Sequence, residues 1–372
     1  MKIAAGFALA LLIGLGVMAV VAVTGVYNVA ATSPHLPITR WLLEVGLERS
    51  VAFHARNIEV PALDDPAMIE QGMRHFQGGC VSCHGEPGRE DPQFGLRLLP
   101  IAPPLSQKVP EWSPAELFWI VKHGIKMTGM PHWEAEQRDD EVWAVVAFLL
   151  TLPNLNPEAY RALTAVDGGG FEAAEDGTKG GGELIVAAGP FAGSPLACIR
   201  CHGADGRGSA TGAFPRLTGQ DAGYLDKALR DYASGLRPSG IMSPIARALT
   251  GEQIHAVSAY YAARQDEAKA PAAARNMDDM SLLQKGGALA AVGSPERGIE
   301  ACSACHGAGK AGIPYLAGQF EGYVRQQLLL WKAGVRGDPT GVMAPIAQRL
   351  TEEEIEALAH YFARLPPSRR GG

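Results

Sequence analysis

The chain has 372 residues, a formal charge of -6, and 45 Gly and 26 Pro. That length divides into two or three domains, each able to bury its own core. The acidic balance excludes nucleic-acid binding, which needs a basic face. The Gly and Pro content points to loop-rich domains rather than long sheets.

Met1-Lys2 precedes an uncharged apolar run from Ile3 to Tyr27. About 20 apolar residues cross a bilayer, whereas the core of a signal peptide is usually about 7–15. The length favours a retained transmembrane anchor over residues 1–31 against a signal peptide cut near Ala30 or Ala31. Lys2 is the only charge before the run and keeps the N-terminus inside. Everything after Tyr27 then lies outside the cytoplasm, which places the chain in the bacterial inner membrane, single-pass, with its domains in the periplasm. Residues 32–65 form a juxtamembrane bridge. Within it Ile38, Trp41, Leu42 and Val45 share one helical face. Such a helix either packs on the first domain or lies at the membrane surface.

All six cysteines fall in three copies of one motif: Cys80-Val-Ser-Cys83-His84, Cys198-Ile-Arg-Cys201-His202 and Cys302-Ser-Ala-Cys305-His306, each followed by Gly. C-x-x-C-H is a haem-attachment pattern. Two thiols on one turn form thioethers to the vinyl groups, and the adjacent His reaches the iron from the same face. A single C-x-x-C also suits a redox dithiol or half a zinc site. Three copies that use every cysteine favour three covalently bound haem c groups, attached on the side of the membrane where this chain is expected.

Alignment on the motifs exposes an internal repeat. After each motif comes Pro-x-Leu, at Pro103-Pro104-Leu105, Pro215-Arg216-Leu217 and Pro314-Tyr315-Leu316. A Met in a turn follows, at Gly129-Met130-Pro131, Met242-Ser243-Pro244 and Met343-Ala344-Pro345. Eighteen residues past each Met stands an aromatic: Phe148, Tyr260 and Tyr361. That spacing belongs to a closing helix. Thr250 with Gln253, and Thr351 with Glu354, form capping boxes; Asp139 and Asp140 put negative charge at the first closing helix's start. Its apolar face includes Val142, Val145, Val146 and Leu149, and the third's includes Ile355, Leu358 and Phe362. Middle helices are expected from Ser113 to about His123, Asp221 to about Ser234 and Gln319 to about Lys332. The Gly-rich acidic stretch 166–182 and the Ala-rich charged stretch 265–279 read as linkers. The expected domains are 66–153, 183–265 and 281–372, with linkers at 154–182 and 266–280.

In this order of elements each repeat resembles a class I cytochrome c. Repeat one fits best, with Gly72 and Phe76 placed where that family crosses its first and last helices closely. Repeats two and three share Phe214-Pro-Arg-Leu-Thr-Gly-Gln220 and Ile313-Pro-Tyr-Leu-Ala-Gly-Gln319 and together resemble the tandem dihaem cytochromes c4. They depart from that family before the motif, where Gly193 and Gly293 open Gly-Ser-Pro insertions, so their first helices are left open. The resemblance implies a mainly α fold, one transmembrane helix followed by three class I cytochrome c domains. It implies His84, His202 and His306 as iron ligands, with Met130, Met242 and Met343 as the sixth ligands that raise the potential. The alternative for the methionines is core packing, and Met127 competes with Met130. It also implies that the carbonyls of Pro103, Pro215 and Pro314 accept the His Nδ1–H, against the reading of these prolines as loop-shaping only. Most of the remaining histidines, His35, His54, His75, His123, His132, His255 and His360, are expected at the surface or partly buried, without metal, and Met277 and Met280 are expected to pack in the second connection.

Six-coordinate irons have no open position for substrate, so the implied activity is electron transfer rather than catalysis. Three readings compete. One links a quinol-oxidising complex or other donor to a terminal haem–copper oxidase. Another makes the chain the cytochrome subunit of a periplasmic dehydrogenase. A haem peroxidase is the third, and it needs an iron lacking its sixth ligand.

Overall fold

The computed structural model describes residues 2–92, 94–165, 181–190, 196–264, 277–307 and 310–367. The linker stretches 166–180 and 265–276, Gly193 and the Arg369-Arg370 tail lie outside them. The described residues are mainly helical, with two isolated bridges and no strand among them.

The first helix, Lys2–Thr24, has a mean hydropathy of 2.6 over Ile3–Thr24 and packs on nothing. It is long and apolar enough to cross a membrane. The bridge contains a helix from Pro37 to Ala55. Its C-terminal end docks on repeat one, with Val51 and Ala55 buried and the His54 ring stacked 5.5 Å from Trp119. Of the two alternatives for the stripe, packing on the first domain is not what is seen: Ile38, Trp41 and Leu42 are 60%, 55% and 57% exposed.

Each repeat has an opening, a middle and a closing helix. In repeat one these are Pro66–Gly79, Pro114–His123 and Asp139–Thr151. In repeat two they are Gly181–Ala188, Ala222–Ser234 and Gly251–Ala262. In repeat three they are Met277–Val292, Glu321–Lys332 and Glu352–Arg364. The expected capping boxes at Thr250 and Thr351 are present, and Ser113 with Glu116 adds a third. Every apolar residue named for the first and third closing helices is buried.

The buried apolar side chains form three clusters, each confined to one repeat. At the centre of each, a glycine of the opening helix meets an alanine carbonyl of the closing helix. A Cβ at Gly72, Gly182 or Gly286 would lie 1.8, 2.4 or 2.1 Å from the carbonyl oxygen of Ala144, Ala256 or Ala357. Only glycine lets the two backbones approach so closely. One turn beyond each alanine stand Phe148, Tyr260 and Tyr361, the aromatics picked out by spacing, each touching its glycine's position. This supplies the opening helices left open above. Gly182 and Gly286 each precede their motif's first cysteine by sixteen residues, against eight for Gly72.

Two linker assignments shift. Residues 157–164 form a helix whose Tyr160 enters the first core, so repeat one extends past 153. The third opening helix starts at Met277, inside the expected linker, and Met277 and Met280 are 85% and 52% exposed rather than packed. They occupy the first turn, ahead of the crossing at Gly286.

Candidate haem-binding sites

Each C-x-x-C-H motif is one helical turn: Val81–His84, Ile199–His202 and Ser303–His306. The His N–H donates to the first Cys carbonyl at 2.9, 2.9 and 2.8 Å. One turn thus carries both thiols and the imidazole. Gly85 and Gly203 end their turns at φ 73° and 74°, where a side chain would be strained. Gly307 has an ordinary φ of -73°, so there the backbone does not require glycine.

The three imidazoles share one arrangement. His84 Nδ1 lies 2.8 Å from Pro103 O, His202 Nδ1 3.2 Å from Pro215 O and His306 Nδ1 2.9 Å from Pro314 O. A carbonyl only accepts, so Nδ1 carries the proton and Nε2 keeps its lone pair for a metal. Burial pushes all three imidazoles toward the neutral form against the opposing pull of these carbonyls, and His202 falls to about 4. The carbonyl stands 19, 13 and 8 residues beyond its histidine. Pattern, not spacing, therefore located it.

Four of the thiols are the opposite of activated. Burial raises Cys80 and Cys201 to about 12, and Cys198 and Cys302 to about 11. A redox dithiol needs a lowered thiol pKa.

Met127 has a left-handed backbone at φ 59° and is 95% exposed, whereas Met130 is half-buried and ties its N–H to Thr128 Oγ1 at 3.1 Å. Met242 and Met343 do not sit in simple turns. Each heads a short helix, Met242–Ala248 and Met343–Arg349. Pro244 and Pro345 fall in the first turn, where a missing N–H costs nothing.

Cys198, His202, Met242, Cys302, His306 and Met343 line one cavity of about 390 Å³, which Arg74, His75 and Glu141 of repeat one also border. Leu225, Ile245, Leu249 and Val257 add apolar wall. Two guanidinium ions also face it. Arg237 and Arg336 are 4% and 8% exposed. Arg237 donates to Tyr323 Oη at 2.5 Å and Gln327 Oε1 at 2.8 Å; Arg336 donates to Gln327 Oε1 at 2.5 Å and stacks on Trp331. Neither has a carboxylate partner among the described residues, and Arg237 Nε and Trp331 Nε1 are buried without an acceptor. A buried cation costs several kcal/mol unless an anion meets it. An apolar prosthetic group bearing two carboxylates, held from Cys and His on one wall, fits this lining. Sequence reasoning missed the two arginines, although Gly-x-Arg recurs at 235–237 and 334–336.

Two glutamines tie repeats two and three together reciprocally. Gln319 accepts from Arg216 N–H and donates to Arg216 O, both at 2.9 Å, while Gln220 accepts from Tyr315 N–H at 2.9 Å and donates to Tyr315 O at 2.7 Å. Each glutamine thereby pins the residue next to the proline that holds the other repeat's histidine. Two of the remaining histidines are fully buried: His75 lies 5.3 Å from Trp133, in the loop before repeat one's closing helix, and His360 Nε2 lies 2.6 Å from Asp279, on repeat three's opening helix. A pattern of motifs gives no signal for such contacts.

Comparison with known proteins follows the same lines. Residues 67–149 and 298–362 match the family "Cytochrome C oxidase, cbb3-type, subunit III", and residues 193–270 match "Cytochrome c". The chain is 40% identical over 195 residues to a thiosulfate dehydrogenase electron acceptor of Stutzerimonas stutzeri, covering 51% of this chain and 88% of that protein. It is 37% identical over 194 residues to a cytochrome c4 of Thiocapsa roseopersicina, covering 48% and 96%. Among solved structures, the cytochrome c4 of Pseudomonas stutzeri matches at 28% identity and TM-score 0.41, covering 50% of this chain and 96% of that one. The thiosulfate dehydrogenase of Marichromatium purpuratum matches at 40% identity and TM-score 0.40, covering 47% of this chain and 37% of that one. The chain therefore belongs to the c-type cytochromes that include cytochrome c4 and the thiosulfate dehydrogenase electron acceptors: it carries covalently bound haem c and transfers electrons.

Proposed function

We propose that the chain is a membrane-anchored trihaem cytochrome that moves electrons at the periplasmic face of the inner membrane. The observation that carries this reading is the threefold recurrence of one constellation: both thiols and a neutral, carbonyl-anchored imidazole on a single turn. The three family matches, each spanning one motif, support it. In this reading Cys80, Cys83, Cys198, Cys201, Cys302 and Cys305 hold the haems. His84, His202 and His306, with Met130, Met242 and Met343, would hold the irons. Haem would supply a one-electron change of iron valence with no bond made to substrate. The protein's part is to keep these side chains in place: the prolyl carbonyls hold each imidazole ring and its tautomer, and the apolar walls limit water. Arg237 and Arg336 would neutralise carboxylate charge of the bound group.

The Lys2–Thr24 helix is the anchor. The exposed stripe of Ile38, Trp41 and Leu42, 14 to 18 residues beyond it, lies against the membrane surface. The domains are the three repeats, with the first extended through the helix at 157–164.

The partner reading we favour is transfer from a quinol-oxidising complex or other donor to a terminal haem–copper oxidase. A second reading, cytochrome subunit of a periplasmic dehydrogenase, is favoured by the likeness to thiosulfate dehydrogenase electron acceptors. Purification from membranes in mild detergent tests both levels. Haem assay should return three haems per chain, and replacing both cysteines of any one motif by serine should remove about one third of the haem. A zinc-containing or haem-poor product would refute the reading. The co-purifying complex, an oxidase or a dehydrogenase, decides between the partners.

A further inference from the structure

Glu141 is 2% exposed in the first turn of repeat one's closing helix, yet most of its hydrogen bonds leave the repeat. One carboxylate oxygen accepts from Ser239 Oγ at 2.6 Å. The other accepts from Gly240 N–H at 2.6 Å and from the Trp133 indole N–H at 3.2 Å. Arg138, 6% exposed, pairs with Glu141 at 2.9 Å and donates to Pro238 O at 2.8 Å, while Asp140 holds its far edge at 2.8 Å. A buried ion pair of repeat one thus grips residues 238–240 of repeat two. Ser239 passes the grip on: its hydroxyl hydrogen goes to Glu141, and its oxygen accepts from Met242 N–H at 3.2 Å. Trp133 lies against Gly240, where a Cβ would sit 2.3 Å from the ring. Trp133 is also three residues past Met130, so one carboxylate touches the segments carrying both methionines.

Repeat three is an internal comparison. Thr340-Gly341-Val342-Met343 is the counterpart of Ser239-Gly240-Ile241-Met242. Its loop is braced by its own Asp338, which accepts from Thr340 Oγ1 at 2.6 Å, Thr340 N–H at 3.2 Å and Ala344 N–H at 2.8 Å. Asp338 belongs to a two-residue insertion, Gly337-Asp338, that repeat two lacks between Arg237 and Pro238. Amides ahead of a helix need an acceptor. Repeat three finds one in its own loop; in repeat two Gly240 finds one in the neighbouring repeat, and Met242 finds one in Ser239, which that neighbour holds.

We propose that Glu141 is a positioning residue for Met242, doing across the repeat boundary what Asp338 does for Met343 within its repeat. The proposal rests on the reading of Met242 as an iron ligand. Its consequence is that repeat one is a fixed brace on repeat two, not a freely swinging tethered domain, and that its docking sets the potential of the second haem. Without the Glu141 carboxylate, Arg138 keeps Asp140 and the Pro238 carbonyl, so the loss falls on Ser239 and Gly240.

The haem-loaded full chain provides the test, read by the long-wavelength Met-to-iron charge-transfer band of the oxidised protein and by redox titration. Met242→Ala should remove about one third of the band and lower one of the three potentials. Glu141→Gln keeps the shape but removes the charge: with its oxygen left on Gly240 and Trp133, its amide N–H groups face Ser239 Oγ and the Arg138 guanidinium, so the hydroxyl must turn away from Met242 N–H. It should weaken the same third and lower the same potential, and Asp338→Asn should do this for the third haem. Ser239→Ala cuts only the link to Met242 and should move that potential in the same direction. It also serves if Glu141→Gln does not accumulate. Unchanged band and potentials in both Glu141→Gln and Ser239→Ala, beside a clear loss in Met242→Ala, would overturn the proposal. An intact band in Met242→Ala would overturn it too, but through the ligand reading, so that single variant tells the two failures apart.

Discussion

The choice between Met127 and Met130 turns on backbone and exposure. Two methionines three residues apart are equivalent as thioethers, and the resemblance alone prefers the one between glycine and proline. In the folded chain Met127 points into solvent from a left-handed residue, while Met130 is half-buried with its N–H tied to Thr128. Met130→Ala is expected to abolish one Met–iron charge-transfer signal, about one third of the band, whereas Met127→Ala leaves the spectrum unchanged. The reverse pattern in absorption spectra would reassign the ligand. Glycines divide in the same way. Gly182 has the Ala256 carbonyl 2.4 Å from where its Cβ would be; the adjacent Gly181 has nothing within 4 Å. Gly182→Ala should cost ~2–3 kcal/mol by forcing the helices apart, and Gly181→Ala should stay within ~0.5 kcal/mol. Denaturant titration of the two variants measures the difference. Equal effects would mean that the opening and closing helices do not cross there.

Among the helices, the third closing helix has the most strongly held start. Thr351 and Glu354 cap each other, and Arg297 donates to both Glu354 oxygens at 2.5 and 3.1 Å. The Arg297 hydrogen bonds come first among the causes that hold this carboxyl at about 2, against an ordinary 4.5. A depressed carboxyl stabilises the fold fully above its unfolded value, and that contribution fades as pH falls from about 4.5 to about 2. Glu354→Gln should therefore lower stability by ~1 kcal/mol near neutral pH, with the gap closing at about pH 2. Thermal unfolding of both proteins across this range reads it, and a gap that persists at the acid end would assign the loss to packing. These caps were legible because a capping box is a local, four-residue pattern. The opening helices of repeats two and three were not. Their identity depends on which glycine meets which alanine across the core, and eight extra residues before the motif hide the family spacing of Gly72.

In the whole molecule buried polar contacts join the repeats. Gln220 and Gln319, 5% and 4% exposed, each satisfy a backbone N–H and C=O of the opposite repeat. Gln319→Ala would leave the Arg216 backbone groups without these partners, at a cost of about 1–3 kcal/mol. It is expected to loosen repeat three from repeat two, which hydrogen exchange at residues 214–220 would report. Unaltered protection there would show that the glutamine pair does not hold the interface. Helix faces and turn chemistry announced three similar units. Nothing in residue order announced that Glu141 of one unit completes the loop of the next.

The sequence by itself determined the chemistry that is local. Three C-x-x-C-H turns, a Pro-x-Leu after each, a Met ahead of each closing helix and an apolar helix at the N-terminus all lie within short spans of chain, where residue type and spacing suffice. Tertiary structure alone decided what depends on distance in space. It placed two buried arginines against one cavity, buried His75 and His360, and exposed the stripe on the bridge helix. It also set a carboxylate of repeat one beneath Met242. Those contacts join residues up to 99 positions apart, and at such separation the partners are chosen by packing and by the need of every buried charge and amide for a counterpart.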